Sequence, residues 1–310
     1  MKIIFMGTPS FSVPILEKVL EKHEVVLVVT QPDTYNYRKK KEVYSPVKEC
    51  AIKHKLDIFQ PVSIKDEKDV ILSIDCDLIV TSAYGQFIPL SILNHPKYRS
   101  INVHASLLPK YRGGAPIQRA LINGDKVTGI TIMYMEKGMD SGDIITQKEL
   151  EILDSDNQDS LFRRLSLLGS SMILDTIDDI EKGNVNPIKQ DEAMVSFSYN
   201  LTKEDELIDF SKDARGVFNQ IRGLAYNPGG YFIIDNLPIK VYNSNISGET
   251  TDMEEGRIVS VKKDRFDISC ANGTVISILE VQPPSKNIMS SRDFINGMGK
   301  KILSIGKKVG

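Results

Sequence analysis

The stretch KIIFMGTPSFSVPILEKVLEKHEVVLVVT, residues 2–30, carries the strongest indication of the fold class. Its apolar run over Lys2–Gly7 predicts a buried strand. Phe11–Lys22 has helical periodicity, with Pro14 tolerated in the first turn, and Glu24–Thr30 predicts a second strand. A strand, a helix and a strand in this order indicate a right-handed crossover between parallel strands. We therefore expect an α/β fold with a doubly wound, mostly parallel sheet.

The same alternation continues as far as about Tyr134. A helix is predicted to open at Ser45-Pro46, with the serine as N-cap and the proline in the first helical position. Further strands are predicted at Asp57–Gln60, Asp77–Ala83 and Ser100–Ala105. Ligands of such sheets bind beyond the carboxyl ends of the strands, so the residues that end these strands are candidates for function.

The second half of the chain has a different pattern. Thr128–Met135 and Asp143–Ile152 alternate and predict a hairpin, and Gln158–Glu181 predicts a helix that ends at Gly183. Five short strands between Gly, Pro and Asn turns then predict a small β-barrel: Gly230–Ile234, Ile239–Tyr242, Gly256–Val261, Asp267–Cys270 and Val275–Val281. We expect a first domain over 1–183, a linker over 184–206 and a C-terminal barrel domain over 207–310.

Composition indicates an ordinary water-soluble protein of 310 residues with 41% hydrophobic residues and a net charge of −2. No apolar run approaches the roughly 20 residues of a membrane span, and the first residues lack a signal-peptide pattern. The three cysteines are widely separated, which favours a reduced, cytoplasmic protein. Residues 256–310 carry ten basic and four acidic side chains, so this region could bind phosphates or could be an ordinary solvated surface.

Several enzyme classes are disfavoured by the motifs. Gly7-Thr8-Pro9 follows the first strand where a dinucleotide-binding protein has G-x-G, and Pro9 has no N–H to offer a pyrophosphate. The sequence contains no P-loop, no nucleophile elbow and no paired His or Cys spacing for zinc. Covalent serine or cysteine catalysis and a resident metal therefore have no support.

The segment INVHASLLPKYRGGAP, residues 101–116, carries the candidate chemistry. Asn102 and His104 are two positions apart, so their side chains share one face at the end of a strand, and the predicted hairpin turn presents Asp140. An amide can stabilise an oxyanion, an imidazole can move a proton and a carboxylate can orient the imidazole. These three residue types suit direct acyl transfer between two amines. Taken alone, the two-residue spacing is also compatible with a strand that happens to hold Asn and His.

The block INVHASLLPKYRGGAPIQRALINGD, followed by TGITIMYMEKGMDSGDI, resembles the 10-formyltetrahydrofolate-dependent formyltransferases, and most closely the members that act on methionyl-tRNA. The resemblance runs almost end to end, from IIFMGTPSFSVPIL to IRGLAYNPGGYF. It implies that Asn102, His104 and Asp140 are catalytic. It also implies a folate signature with a neighbouring pterin wall, formed by Ser106, Leu107, Leu108 and Pro109 and by Ala83, Tyr84 and Gly85. A Rossmann-like first domain and a C-terminal barrel resembling the OB fold are implied as well.

The resemblance further implies 10-formyltetrahydrofolate as formyl donor and co-substrate, no metal, and charged initiator methionyl-tRNA as acceptor, with tetrahydrofolate as product. The segment QPDTYNYRKKKEVYSP, residues 31–46, favours the tRNA acceptor, because Arg38, Lys39, Lys40 and Lys41 would neutralise phosphates. It departs from the family, since TYNY replaces the glycine-rich form of this loop. A sugar-nucleotide formyltransferase and a non-catalytic RNA-binding protein are the alternatives. We expect a monomer that does not bind membranes.

Overall fold

The computed structural model describes residues 1–37 and 40–310. The chain divides into two compact units, of which the first comprises Met1–Gly113, Val127–Glu151 and Phe162–Ser198. The second comprises Gly114–Lys126, Ile152–Leu161 and Tyr199–Gly310. The predicted domain boundaries at 183/184 and 206/207 stay predictions.

The strands are β1 Lys2–Gly7, β2 Glu24–Val29, β3 Thr34–Asn36, β4 Lys41–Val43, β5 Ile58–Phe59, β6 Leu78–Ser82, β7 Ser100–His104, β8 Val127–Tyr134, β9 Ile144–Glu151, β10 Gly230–Ile234, β11 Leu237–Thr250, β12 Ile258–Val261, β13 Phe266–Ser269, β14 Thr274–Gln282 and β15 Met289–Ser290. The helices are α1 Val13–Leu20, α2 Pro46–Lys53, α3 Lys68–Leu72, α4 Leu90–Leu93, α5 Pro116–Asn123, α6 Gln158–Lys182, α7 Lys203–Glu206, α8 Ala214–Leu224, α9 Ser291–Phe294 and α10 Lys300–Ile302.

A seven-stranded sheet forms the core of the first unit, in the order β5-β2-β1-β6-β7-β8-β9. The first five of these strands pair in parallel, whereas β8 runs antiparallel to both β7 and β9. Five of the six residues of β1 are buried, which explains its uninterrupted apolar run, because helices cover both faces of a parallel sheet. The mostly parallel, Rossmann-like sheet and the β8–β9 hairpin are confirmed.

The first predicted helix differs in detail from the observed one. Ser10–Ser12 forms a 3₁₀ turn, and α1 itself covers only Val13–Leu20. The buried Ser12 hydroxyl donates to the carbonyl of Ser82 at 2.5 Å. A hydrogen bond to the end of another strand ties down the start of this element, and sequence periodicity cannot register such a contact.

The second unit contains an antiparallel six-stranded sheet. Its strands follow the order β10-β11-β14-β13-β12, and β15 pairs with β14. Phe232, Phe266 and Phe294 are fully buried in its core, where α8 contributes Val217 and Ile221. The expected C-terminal strands are confirmed as an antiparallel sheet, but the strand predicted at Ile239–Tyr242 is longer than predicted and covers Leu237–Thr250.

Asp267 is a buried carboxylate in this second sheet. Ser260 and Ser277 each donate a hydroxyl hydrogen bond to it at 2.6 Å, and the Lys262 ammonium lies 3.1 Å away. Burial by itself would raise the pKa of the Asp267 carboxyl, but these hydrogen bonds and the lysine outweigh it and hold the pKa below its usual range. The ionised carboxylate therefore stabilises the folded state.

Asp267→Asn is expected to lower the free energy of unfolding at pH 7 by about 2–4 kcal/mol, because a buried charge-assisted network is broken. A folded-state pKa below the unfolded value of about 3.9 gives stability that is present above that pH and lost as the pH falls. Urea unfolding at pH 7 and near pH 3.5 should therefore show the difference between wild type and variant shrinking on acidification. A difference that grows at low pH would contradict this account.

The three cysteines Cys50, Cys76 and Cys270 are free and buried, as the sequence predicts for reduced thiols. Across residues 1–37 and 40–310, no helix is both long enough and apolar enough to cross a membrane.

Candidate active site

Three polar side chains meet at one edge of the first sheet. Asn102 and His104 lie in the last three residues of β7, and Asp140 lies in the turn between β8 and β9. Strands β7 and β8 pair antiparallel, with Ile101 opposite Tyr134, so the turn leaves β8 beside the first residues of β7. The turn then folds back along β7, and its Asp140 contacts both Asn102 and His104.

The amide of Asn102 has a defined orientation. Its oxygen Oδ1 accepts a hydrogen bond from the Thr81 hydroxyl at 2.9 Å, and Thr81 lies on the neighbouring strand β6. Its nitrogen Nδ2 donates to Asp140 Oδ1 at 3.4 Å, a long bond. The amide therefore presents N–H groups on the side of the carboxylate, and the side chain is half-buried.

His104 is buried, with 6% of the residue exposed. Its Nε2 lies 2.9 Å from the carbonyl oxygen of Tyr111. Because a carbonyl only accepts, Nε2 carries the hydrogen. The other ring nitrogen, Nδ1, lies 3.6 Å from Asp140 Oδ2, so a proton on Nδ1 would face a carboxylate.

The position of Asp140 depends on its backbone. Its φ of 46° is a left-handed conformation that Asp tolerates better than most residues. Its Oδ2 accepts the backbone N–H of Gly113 at 2.8 Å. Gly113 has a φ of 119°, which favours glycine, and an added Cβ would lie 2.9 Å from the Ser198 carbonyl oxygen. The Gly113-Gly114 pair thus lets the backbone approach the carboxylate.

The proposed folate signature follows His104 directly and is held internally. The Ser106 hydroxyl donates to the Lys110 carbonyl at 2.6 Å, and the Leu108 carbonyl accepts from Gln147 at 2.7 Å. Leu107 and Pro109 are half-buried, whereas Leu108 is 3% exposed. The hydroxyl of Ser106 is thus engaged within its own turn.

The three residues predicted to form a pterin wall follow β6 and differ in burial. Ala83 and Gly85 are exposed, and both have positive φ angles, of 46° and 93°. The Tyr84 ring is buried in a core cluster and its hydroxyl has no partner among the described residues. Burial raises the pKa of this hydroxyl. Its backbone carbonyl accepts from Thr8 at 2.9 Å, so Tyr84 offers backbone rather than ring to its surroundings.

The predicted tRNA-binding segment forms a hairpin, in which Thr34 of β3 pairs with Val43 of β4. Arg38 and Lys39 lie outside the described residues. Lys40 and Lys41 are exposed, and their assignment to phosphate binding stays a prediction. The hairpin also carries two tyrosine rings in edge-to-face contact, Tyr35 and Tyr37, with centroids 5.0 Å apart.

Sequence reasoning missed a polar network beside Asp140. Arg112 is 4% exposed, and its guanidinium pairs with Glu192 at 2.9 Å and donates to Gln190 at 2.9 Å. Gln190 and Glu192 belong to the segment predicted to be a linker. The Arg112-Gly113-Gly114 run after β7 was the signal in the sequence that the backbone packs closely here. No sequence pattern indicated a role for Gln190.

Comparison with known proteins gives consistent results over the whole chain. Residues 1–177 match the family model described as formyl transferase, and residues 200–299 match the formyl transferase C-terminal domain. A methionyl-tRNA formyltransferase of Lactobacillus acidophilus is 46% identical over 305 residues, covering 97% of each chain. One from Pediococcus pentosaceus is 43% identical over 311 residues, covering 99% of this chain and 97% of the relative.

Solved structures agree on the fold. An N-formyltransferase from Helicobacter canadensis, in complex with folinic acid and dTDP-3-aminofucose, superposes with a TM-score of 0.70. It is 19% identical and covers 91% of this chain and 99% of its own. At this identity the likeness concerns the fold alone.

Proposed function

Because the chain belongs to the formyl transferase family, we propose that it transfers the formyl group of 10-formyltetrahydrofolate to the α-amine of methionyl-tRNA. The observation that carries this proposal is the 43–46% identity to methionyl-tRNA formyltransferases over nearly the full length of both chains. Both family domains also occur in their order along one chain. The products are N-formylmethionyl-tRNA for translation initiation and tetrahydrofolate.

We propose that Asn102 stabilises the oxyanion. When the neutral amine attacks the formyl carbon, a new C–N bond forms and the formyl oxygen takes the negative charge. An oxyanion site needs preorganised donors directed at that oxygen. The hydrogen bond from Thr81 to Asn102 Oδ1 supports this role, because it turns the Nδ2 hydrogens away from β6 before the substrate arrives.

His104 and Asp140 form the proton-handling pair of the proposal. The Nε2 hydrogen of His104 is committed to the Tyr111 carbonyl, so the exchangeable proton is assigned to Nδ1, which faces Asp140. The attacking nitrogen loses its proton towards this pair. Collapse of the tetrahedral intermediate breaks the bond to N10 of the folate, and N10 takes up a proton. Asp140 stabilises the imidazolium that forms in between.

In this proposal the site for 10-formyltetrahydrofolate adjoins Asn102, His104 and Asp140. The turn that follows His104 is formed by Ser106, Leu107, Leu108 and Pro109. Of these, Leu107 and Pro109 are partly accessible to solvent. The exposed backbone at Ala83 and Gly85 supplies peptide groups for the polar edge of a pterin, and Tyr84 contributes through its backbone.

Arg38 and the neighbouring lysines 39–41 are proposed to hold the acceptor arm through phosphate contacts. Arg38→Ala is expected to raise the KM for methionyl-tRNA about tenfold and to lower the salt dependence of binding by about one counterion. The KM for the formyl donor should not change. Steady-state kinetics at several salt concentrations test this, with the exposed Lys65→Ala as control. An unchanged tRNA KM would remove the assignment.

The decisive experiment is transfer of a labelled formyl group from 10-formyltetrahydrofolate to charged initiator tRNA, with a sugar nucleotide carrying a free amine as control acceptor. We expect label on the tRNA and none on the sugar. Label on the sugar alone would assign the enzyme to the sugar-nucleotide formyltransferases instead.

The remaining assignments are part of the same proposal. We infer that the antiparallel C-terminal sheet is a barrel of the OB type, supported by a 14-residue strand, β11, that is long enough to bend around a core. We also propose that the protein acts in the cytoplasm, because tRNA and folate occur there. We further propose that it is a monomer. Light scattering of the purified protein, alone and with tRNA, tests the oligomeric state.

A further inference from the structure

The backbone of the turn that carries Asp140 is supported by one buried side-chain amide, that of Gln190. Gln190 is 4% exposed, and its Nε2 donates to the carbonyl of Asp140 and to the carbonyl of Gly142, both at 2.8 Å. One side chain thus bridges Asp140 and Gly142, in the later part of the turn between β8 and β9. Because Asp140 sits at a φ of 46°, its backbone needs such outside support to stay in one conformation.

The orientation of this amide is itself fixed by Arg112. The guanidinium Nε donates to Gln190 Oε1 at 2.9 Å, and the same guanidinium is paired with Glu192. A rotated amide would place its oxygen against two carbonyls and its NH₂ against a guanidinium. Only one orientation of the amide satisfies these three partners, and in it the N–H donors face the Asp140 turn.

The chain that follows Gln190 also supports the backbone that holds His104. Ser196 accepts from the N–H groups of Tyr111 and Arg112, through its hydroxyl at 3.0 Å and its carbonyl at 2.9 Å. The Ser198 hydroxyl donates to the Tyr111 carbonyl, the same oxygen that receives the His104 hydrogen, at 3.1 Å. Residues 190–198 therefore form hydrogen bonds with the Asp140 turn and with the backbone that contacts His104.

We propose that Gln190, oriented by Arg112, is a positioning residue that sets the distance between Asp140 and His104 for formyl transfer. This inference rests on the proposed function for its catalytic consequence. Gln190 touches neither reacting group and acts only through the backbone of residues 140–142. Since a displacement of about 1 Å in a reacting group costs about 10²-fold in rate, loss of this support should lower kcat rather than weaken binding.

Two substitutions separate positioning from simple space filling. Gln190→Leu removes the hydrogen bonds, and Gln190→Glu keeps the shape but offers the two carbonyls no N–H. We expect both variants to lower kcat about 10–10²-fold while KM for each substrate stays within about twofold. If Gln190→Glu keeps wild-type kcat, the role of Gln190 as a hydrogen-bond donor is overturned.

The chain offers a matched control in Gln220. This residue is 5% exposed, donates to the carbonyls of Asp205 and Leu207 at 3.1 and 2.8 Å, and accepts the N–H of Asp209 at 3.0 Å. It belongs to the second unit. Gln220→Leu should lower the melting temperature as Gln190→Leu does, but keep kcat per folded molecule. Equal losses of kcat in both variants would mean that the effect is general destabilisation, and would overturn the proposal.

A readout without substrate keeps this inference separate from the proposed function. The Gly113 amide proton, bonded to Asp140 Oδ2, should give a downfield signal in wild type and Gln220→Leu that moves upfield in both Gln190 variants. If wild type fails to formylate methionyl-tRNA while this signal shifts, the proposed function fails and the positioning contact stands. An unmoved signal in both Gln190 variants would overturn the positioning contact.

Discussion

His104→Ala is expected to lower kcat for formyl transfer about 10²–10⁴-fold and to leave the KM of both substrates nearly unchanged. The ring is buried between the Tyr111 carbonyl and the Asp140 carboxylate, and alanine can neither carry the proton nor place a positive charge beside the carboxylate. Single-turnover kinetics with saturating donor isolate this chemical step. A variant that keeps more than a tenth of wild-type turnover would remove His104 from the mechanism.

His95 provides a matched control for this substitution. Its Nε2 also lies 2.9 Å from a backbone carbonyl, that of Ile74, in the same unit. His95→Ala therefore removes a comparable hydrogen bond at a site without Asp140. We expect a similar modest loss of stability, measured by thermal unfolding, and unchanged kcat. A comparable fall in kcat would show that losing such a hydrogen bond, rather than the proton chemistry, causes the effect.

Asn102→Ala is expected to lower kcat about 10²–10³-fold, the usual cost of removing one oxyanion donor. The loss should appear in kcat and in kcat/KM alike, since the donated hydrogen bond strengthens only as the charge develops. Asn102→Asp should be at least as inactive, because it keeps the shape but places a second carboxylate beside Asp140. A rise in KM with unchanged kcat would make Asn102 a binding residue instead.

Two further variants test how the Asn102 amide is held. Thr81→Val removes the hydroxyl that fixes Oδ1, so the amide can rotate. We expect a smaller loss of kcat, about tenfold, since the donor is still present but is correctly directed only part of the time. Asn94→Ala, at the exposed end of α4, is the control and should keep full activity.

Much of the site follows from short-range patterns. A strand places residues two apart on one face, so Asn102 and His104 could be paired from the sequence, and both approach Asp140 within 3.6 Å. The β8–β9 hairpin that brings Asp140 back is itself a local structure, with its alternation visible in the sequence. The parallel pairing of the first strands was predicted from the alternation of strands and helices, whereas their order in the sheet comes from the structure.

Side-chain direction next to a tight turn was less predictable. Tyr84 follows β6 where the family resemblance implies a pterin wall, yet its ring belongs to the core cluster. Its exposed neighbour Ala83 has a left-handed backbone, which redirects the chain. The sequence assigns no partner to Arg112, and its burial and its ion pair with Glu192 show that it is structural.

Sequence patterns predicted the two sheets and the strand end that carries Asn102 and His104, because periodicity and turn chemistry act within a few neighbouring residues. The way in which the triplet is held depends on contacts between residues that are far apart in the chain. Gln190 lies 50 positions from Asp140, in a segment without periodicity, and supports it through two backbone carbonyls. Backbone carbonyls are common to every residue, so no pattern of side chains could have revealed that contact.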